Sequence, residues 1–553
     1  MTAITRVPAA PVPDHAEQVM VRMRDGVRLA TDLYLPEDLT AGAALPAVVV
    51  RLPYDKDSRR EFLPQMATRF TARGYALVTQ DVRGKFRSEG EAAPLIHELD
   101  DGYDTLEWIV RQAWSNGRVG AFGDSYYGFT QWAMVASGHP ALKAIVPRHT
   151  GTGLGAPPPA RADGAREIAR TSDAEVMVSA WADREGLDFR VDWDVRPIAD
   201  ALTGIARAAG ARTTPLDLVL LPERATLPVF RGRHPFDGNP IPVLHTAGWY
   251  DNLLALSMRD YLTLRARPAW APLQYLVVNS VDHKGYHLDD APITPDRDHT
   301  IDDAALERLL PDHLGPALDF FDVFLAERGD ASALPRVKWH LAHDGWRVAE
   351  SWPPPGTSTR TLHLSAGALA PEPPAAPSEA SWVHDPADPV PSLVGNGYVF
   401  FLDYPDEAAN GERDDVVSLT GAPVAEPLDL AGPVALTLTL SASGPTTDVF
   451  AKLLDLAPDG SARQIVRGQV LLPYELSEAR TVDLELGHVG YRLRPGHRLR
   501  LHLASSDHPS YALNPGTGED RWRARNGART TQTLHLGGAA PGRLTLSVLE
   551  LAT

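Results

Sequence analysis

Between residues 17 and 150, short runs of apolar and β-branched residues alternate with segments of helical period, and this alternation constrains the fold more than any other feature of the chain. "LPAVVVRLPY" (45–54) has the near-continuous apolar character of a strand buried on both faces of a parallel sheet. "RREFLPQMATRFTARG" (59–74) comes next with helical spacing and a glycine stop, "YALVTQD" (75–81) is strand-like, and "ELDDGYDTLEWIVRQA" (98–113) is an amphipathic helix. Strand, helix, strand, helix implies a parallel sheet wound with crossover helices. The pattern continues through "RVGAFG" (118–123), "LKAIVPR" (142–148), "PVLHTAG" (242–248) and "LQYLVVN" (273–279). Upstream, "EQVMVRMRDGVRLATDLYLP" (17–36) alternates around Asp25-Gly26 as a hairpin would.

Two stretches break the pattern. Residues 151–236 are rich in Ala, Arg and Asp, helical in period and without a clear strand, as an inserted helical cap would be. From 352 a Pro/Ala/Ser-rich stretch, "WPPPGTSTRTLHLSAGALAPEPPAAPSEA", reads as a linker, and after it come short alternating runs such as "VALTLTLSA" (434–442) and "RLTLSVLEL" (543–551). The expected architecture is an α/β domain with a parallel sheet from 1–150 and 237–350, a helical insertion at 151–236, and an all-β domain, a sandwich or jelly roll, at 351–553.

Composition narrows the function. The 553 residues carry 53 basic and 71 acidic side chains, a formal charge of −18, which disfavours nucleic acid as a partner. There is no cysteine, hence no disulfide, thiolate nucleophile or Cys-ligated metal. No stretch reaches the roughly 18 apolar residues of a membrane span, and the first residues have no apolar h-region, so a cytoplasmic protein without membrane contact is expected.

Against that background "AFGDSYYGFTQW" (121–132) stands out, because Ser125 sits between a strand-like and a helix-like run, fenced by glycines. A sharp strand-to-helix turn of this kind exposes a nucleophilic serine, although Tyr127 takes the place of the second glycine of G-x-S-x-G and Gly128 comes one residue later. Such a serine needs a base and a carboxylate, in chain order Ser, Asp, His, at the ends of later strands. Asp251 in "PVLHTAGWYDN" and His283 in "LQYLVVNSVDHKGYH" fit that order. Asp251 can equally be the N-cap of the next helix. His287 rivals His283, and the two can also be read as metal ligands four residues apart, but Gly285 between them argues against a helix that would align the rings. No metal and no other cofactor is expected.

These motifs lie in a chain that resembles the CocE/NonD hydrolases, the family of cocaine esterase and X-prolyl dipeptidyl-peptidase-like enzymes. The resemblance is carried in order by "MVRMRDGVRLATDLYLP", "VVVRLPYDK", "QDVRGKFRSEGE", "AWSNGRVGAFGDSYYGFTQW", "LHTAGWYDN", "DPADPVPSLVG", "RDDVVSLTG", "TDVFAKLLDLAPDG" and "PGHRLRLHLASSDHP". It implies an α/β-hydrolase domain, a cap and a C-terminal jelly roll, with Ser125, Asp251 and His283 as the triad. It also implies an oxyanion hole of the Tyr54 hydroxyl and the Tyr126 backbone N–H. Where the family often has "PWSH" this chain has "SVDH", so an aromatic is missing from the pocket wall.

The expected activity is hydrolysis of a small-molecule ester through an acyl-enzyme. Amide or dipeptide cleavage, acyl transfer in a biosynthetic reaction and a non-catalytic binding protein are the rival readings. Arg148 and His149, at the end of "IVPRHT", are candidate substrate contacts, as are Trp249 and Leu253 beside Asp251. Arg148 can hold a substrate carboxylate or pair with a cap carboxylate. The chain can pair as a homodimer.

Overall fold

The computed structural model describes residues 4–40, 42–155, 161, 163–211, 229–538 and 541–550. The strands of its first 350 residues are, in chain order, β1 (Thr5–Val7), β2 (Glu17–Arg22), β3 (Arg28–Tyr34), β4 (Leu45–Leu52), β5 (Ala76–Asp81), β6 (Ser115–Asp124), β7 (Leu142–Arg148), β8 (Gly186–Asp188), β9 (Val243–Gly248), β10 (Gln274–Asn279), β11 (Val337–Leu341) and β12 (Gly345–Ala349). Ten of them form one sheet in the order β12-β11-β10-β9-β7-β6-β4-β5-β3-β2. From β5 across to β11 every neighbouring pair is parallel. The hairpin β2–β3 and the strand β12 add antiparallel edges. The helices α1 (Leu63–Ala72), α2 (Glu98–Val110) and α3 (Ser125–Ser137) make the crossovers that parallel pairing requires.

Both faces of the central strands are covered, which is why their sequences are apolar without alternation. Along β4, Ala47 and Val49 pack with Phe129 and Trp132 on one side. Val48 and Val50 pack with Phe70, Phe122 and Phe321 on the other. The strand order reverses at β4, whose neighbours are β5 and β6, and open α/β sheets bind ligands beyond the strand ends at such a point.

The cap is built on α4 (Thr171–Trp181) and α5 (Ile198–Ala208). It departs from the all-helical expectation in one respect: the short strand β8 pairs antiparallel with β1, because the N-terminal segment reaches across to it. Of the expected cap, 156–160, 162 and 212–228 lie outside the described residues. Ala174, Val178 and Leu202 share a small core with Ala512 and Trp522 of the C-terminal region, and Arg166 exchanges two backbone hydrogen bonds with Leu471 there.

The C-terminal region is all β. Its longest strand, Leu428–Ala442, pairs antiparallel with Arg480–Leu493 and shows the inside/outside alternation of a one-sided sheet. The stretch expected to be a linker is not one. "TSTRTLHLS" within it is a strand, Thr357–Ser365, paired antiparallel with Arg543–Leu549, because its own apolar/polar alternation outweighs the prolines on either side. Trp249, Leu276 and Trp339 of the first sheet region lie in one buried cluster with Trp352, Leu430 and Tyr491, so the two domains share a core.

Candidate active site

Four neighbouring strands, β6, β7, β9 and β10, and the next strand along, β4, end on one edge of the sheet, and the polar groups of the site sit within a few residues of those ends. Ser125 begins α3 directly after β6 and is in the left-handed region, φ 53°, the turn that brings a side chain clear of the sheet. Gly128 explains the displaced glycine: a Cβ there would lie 2.4 Å from Thr150 Cγ2, so only glycine lets α3 pack against the chain leaving β7. Asp124, the residue before the helix, does not cap it with its side chain.

Tyr54 lies two residues past β4, the strand beside β6, and its hydroxyl interacts with the Ser125 side chain. Burial pushes the Tyr54 phenol up, and the charge of Glu61 adds to this, so it stays a protonated donor. The Tyr126 hydroxyl is committed elsewhere: it donates to Glu98 at 2.9 Å and accepts from Leu95 N–H at 2.7 Å. That fixes the ring against Trp181 of the cap, with centroids 5.0 Å apart.

Asp251 and His283 come after β9 and β10, which are paired in register from Gln274/Val243 to Asn279/Gly248. A Cβ on Gly248 would lie 2.2 Å from the Val281 carbonyl, so that glycine permits the two loops to close on each other. His283 Nδ1 is 2.8 Å from Asp251 Oδ1. A carboxylate only accepts, so Nδ1 carries the proton and Nε2 offers its lone pair as a base. Asp251 also accepts from Leu253 N–H at 2.9 Å and from His149 Nδ1 at 3.0 Å. Burial alone would raise its pKa, but the His283 and His149 imidazoles outweigh that and hold the carboxyl well below the usual range. Asp251 is thus a buried anion with three donors.

The rest of the shell is built from groups that the sequence did not single out. Glu61 accepts from the Tyr127 hydroxyl at 3.0 Å and pairs with Lys284 at 3.1 Å, tying the histidine loop to α3. Tyr398, from the C-terminal domain, stands edge-on to His283 and donates through its hydroxyl to Asp173 of α4 at 3.0 Å. No local pattern marks Tyr398; only the packing of the domains brings it here.

Several expectations are corrected. Arg148 is buried and pairs with Asp124 at 2.6 Å, while its Nη atoms meet the His313 carbonyl at 3.0 Å and His313 Nδ1 at 2.9 Å, so its carboxylate partner is Asp124 and not a carboxylate of the cap. Register explains this, because Asp124 and Arg148 are cross-strand partners. Burial would raise the Asp124 pKa, but Arg148 and the neighbouring histidines hold it down to about 2. His149 bonds Asp251, and with Arg148 and His313 it also lines a cavity. Trp249 points into the interdomain core, donating to the His340 carbonyl at 2.7 Å and lying 5.0 Å from the Trp352 ring. His283 and His287 do not converge as a ligand pair: His287 Nε2 meets Asn279 Oδ1 at 3.2 Å, and its Nδ1 accepts from Asp289 N–H at 3.1 Å. Two groups of donors do lie within 4.8 Å of one another, as a metal ion would need: His149, Asp251 and His283, and separately His287, Asp289 and His340. Among the described residues no helix is long and apolar enough to cross a membrane.

Known proteins share this arrangement of domains. Residues 25–285 match the family "X-Pro dipeptidyl-peptidase (S15 family)", and residues 330–545 match "X-Pro dipeptidyl-peptidase C-terminal non-catalytic domain". The chain is 31% identical over 587 residues to cocaine esterase of Rhodococcus sp. (strain MB1 Bresler), an alignment covering 97% of this chain and 98% of that one. Among solved structures, an aminopeptidase from a marine sediment archaeon (Thaumarchaeota archaeon) superposes with a TM-score of 0.81 at 23% identity, covering 99% of each chain. An α-amino acid ester hydrolase does so with a TM-score of 0.77 at 23% identity, covering 98% of each.

Proposed function

The chain belongs to the CocE/NonD family of serine hydrolases, and on that premise we propose that it cleaves a small-molecule carboxylic ester through an acyl-enzyme on Ser125. The observation that carries this reading is the convergence at neighbouring strand ends: Tyr54 on Ser125, and His283 on Asp251 at 2.8 Å. Ser125 Oγ attacks the ester carbonyl while His283 Nε2 takes its proton. Asp251 keeps the imidazole in the Nδ1–H tautomer and stabilises the imidazolium. The Tyr54 hydroxyl and the Tyr126 N–H donate to the oxyanion of the tetrahedral intermediate, each worth several kcal/mol in a dry site (about 3–4 by analogy with single oxyanion donors). His283 returns the proton to the leaving alcohol, and water, activated by the same imidazole, then releases the acid. The buried Leu253, next to Asp251, is a candidate wall of the acyl pocket.

The identity to cocaine esterase supports ester over amide cleavage. A second reading, an ester or amide with a free amine, has one observation in its favour: Asp173, partly exposed on the cap, bonds the Tyr398 hydroxyl at 3.0 Å beside His283 and can accept a substrate ammonium. Mass-spectrometric detection of the acyl-enzyme against matched esters and amides, each with and without an α-amino group, tests both. Adducts from neutral esters alone support the first reading, and adducts confined to amino substrates replace it with the second. A cytoplasmic location accords with a chain that has no cysteine to oxidise. A homodimer remains our expectation for its assembly.

A further inference from the structure

In a Ser-His-Asp set one imidazole takes the carboxylate, whereas here two do. His149 lies one residue past β7, between the strands that lead to Ser125 and Asp251, and is 2% exposed. Its backbone is held at φ 47°, and its N–H donates to the Thr246 carbonyl at 2.9 Å. A non-glycine residue seldom adopts this region, so the surrounding chain must impose it. The result is that His149 Nδ1 meets Asp251 Oδ2 at 3.0 Å, while Oδ1 serves His283 and Leu253 N–H. As a carboxylate only accepts, both imidazoles carry their proton on Nδ1.

We propose that His149 is a positioning residue for the hydrolytic site: by holding Oδ2 it fixes the plane in which Oδ1 meets His283. Without that donor, Oδ2 would be a buried acceptor lacking this bond, and the carboxylate would be free to turn about its Cβ–Cγ bond. The charged and titratable groups facing His149 are Asp251 and His283 from the loops after β9 and β10, Asp124 from the end of β6, and His313 from the long helix Asp303–Phe324, with Arg148 beside it on its own strand. Arg148 is bonded to Asp124 at 2.6 Å, so Asp251 is the carboxylate that His149 serves.

This inference rests on the triad reading, and the test separates the two. His149→Phe removes the donor and keeps a ring. His149→Asn places an amide N–H near the position of Nδ1 and tolerates a positive φ. In His149→Phe, kcat should fall by about tenfold to a hundredfold, the cost of one lost buried hydrogen bond, with KM little changed. His149→Asn should recover most of kcat. The proton NMR spectrum of the wild type should show two downfield imidazole N–H signals, one of which His149→Asn removes. The inference is overturned by a His149→Phe enzyme with wild-type kcat, by a His149→Asn enzyme as impaired as His149→Phe, or by a wild-type spectrum with one downfield signal, a reading that needs no folded variant. Phosphonate labelling of Ser125→Ala at the wild-type rate would instead overturn the triad itself.

Discussion

Tyr398 of the C-terminal domain meets the His283 imidazole edge-on, with ring centroids 4.8 Å apart and planes at 81°. Its hydroxyl bonds Asp173 of the cap, and its carbonyl accepts from Lys284 N–H at 3.2 Å. One residue therefore joins the cap, the histidine loop and the β domain, and the His283 ring is held in part by a domain other than the one that carries it.

Tyr398→Ala should lower kcat/KM by up to about tenfold, the 0.5–1.5 kcal/mol typical of an aromatic pair, and Tyr398→Phe should stay close to wild type. Steady-state kinetics on one neutral ester decides it. Equal losses in both variants would move the effect from the ring to the Asp173 hydrogen bond.

His283→Ala should reduce turnover by orders of magnitude, as loss of a triad base does, while His287→Ala should leave it within a few fold. The two rings have different partners, Asp251 for His283 and Asn279 for His287. A reversed order of effects would place the base four residues later.

Tyr54→Phe keeps the ring and removes the donor beside Ser125, so the acylation rate should fall by roughly 10²–10³ with KM little altered. Pre-steady-state acylation measures this directly. An unchanged rate with a raised KM would make Tyr54 a packing residue.

Asp124, beside Ser125, supplies a pH dependence. Its folded pKa, about 2, lies below the ordinary 3.8, so its contribution is present above about pH 4 and is lost as pH falls from 3.8 through 2. The difference corresponds to about 2 kcal/mol. Between pH 5 and pH 3 the denaturant midpoint should therefore fall more for the wild type than for Asp124→Asn. At pH 7 the variant should be less stable, because Arg148 is left buried without its carboxylate. Equal pH dependence in the two proteins would contradict the pairing.

The residues legible in the sequence are those that a strand end places. Ser125, Asp251, His283 and Tyr54 each lie within a few residues of a parallel strand, where the alternation of strand and helix alone sets which edge they reach. Direction within that edge was not legible. Arg148 and His149 are at the expected place, but their partners, Asp124 and Asp251, depend on cross-strand register and loop closure. Trp249 adjoins the loop of Asp251 yet turns away from the site, because the C-terminal domain offers it Trp352 and the His340 carbonyl. Tyr398 was beyond reach for the same reason, since it arrives through the packing of separate domains. The strand Thr357–Ser365 was hidden by the prolines around it.

Intact-mass analysis after reaction with an organophosphonate tests the central claim, nucleophilic catalysis by Ser125, most directly. The account predicts a single adduct in the wild type, located by peptide mapping on Ser125, and none in Ser125→Ala, whose thermal midpoint should stay near that of the wild type. An adduct on Ser125→Ala formed at the wild-type rate would contradict it.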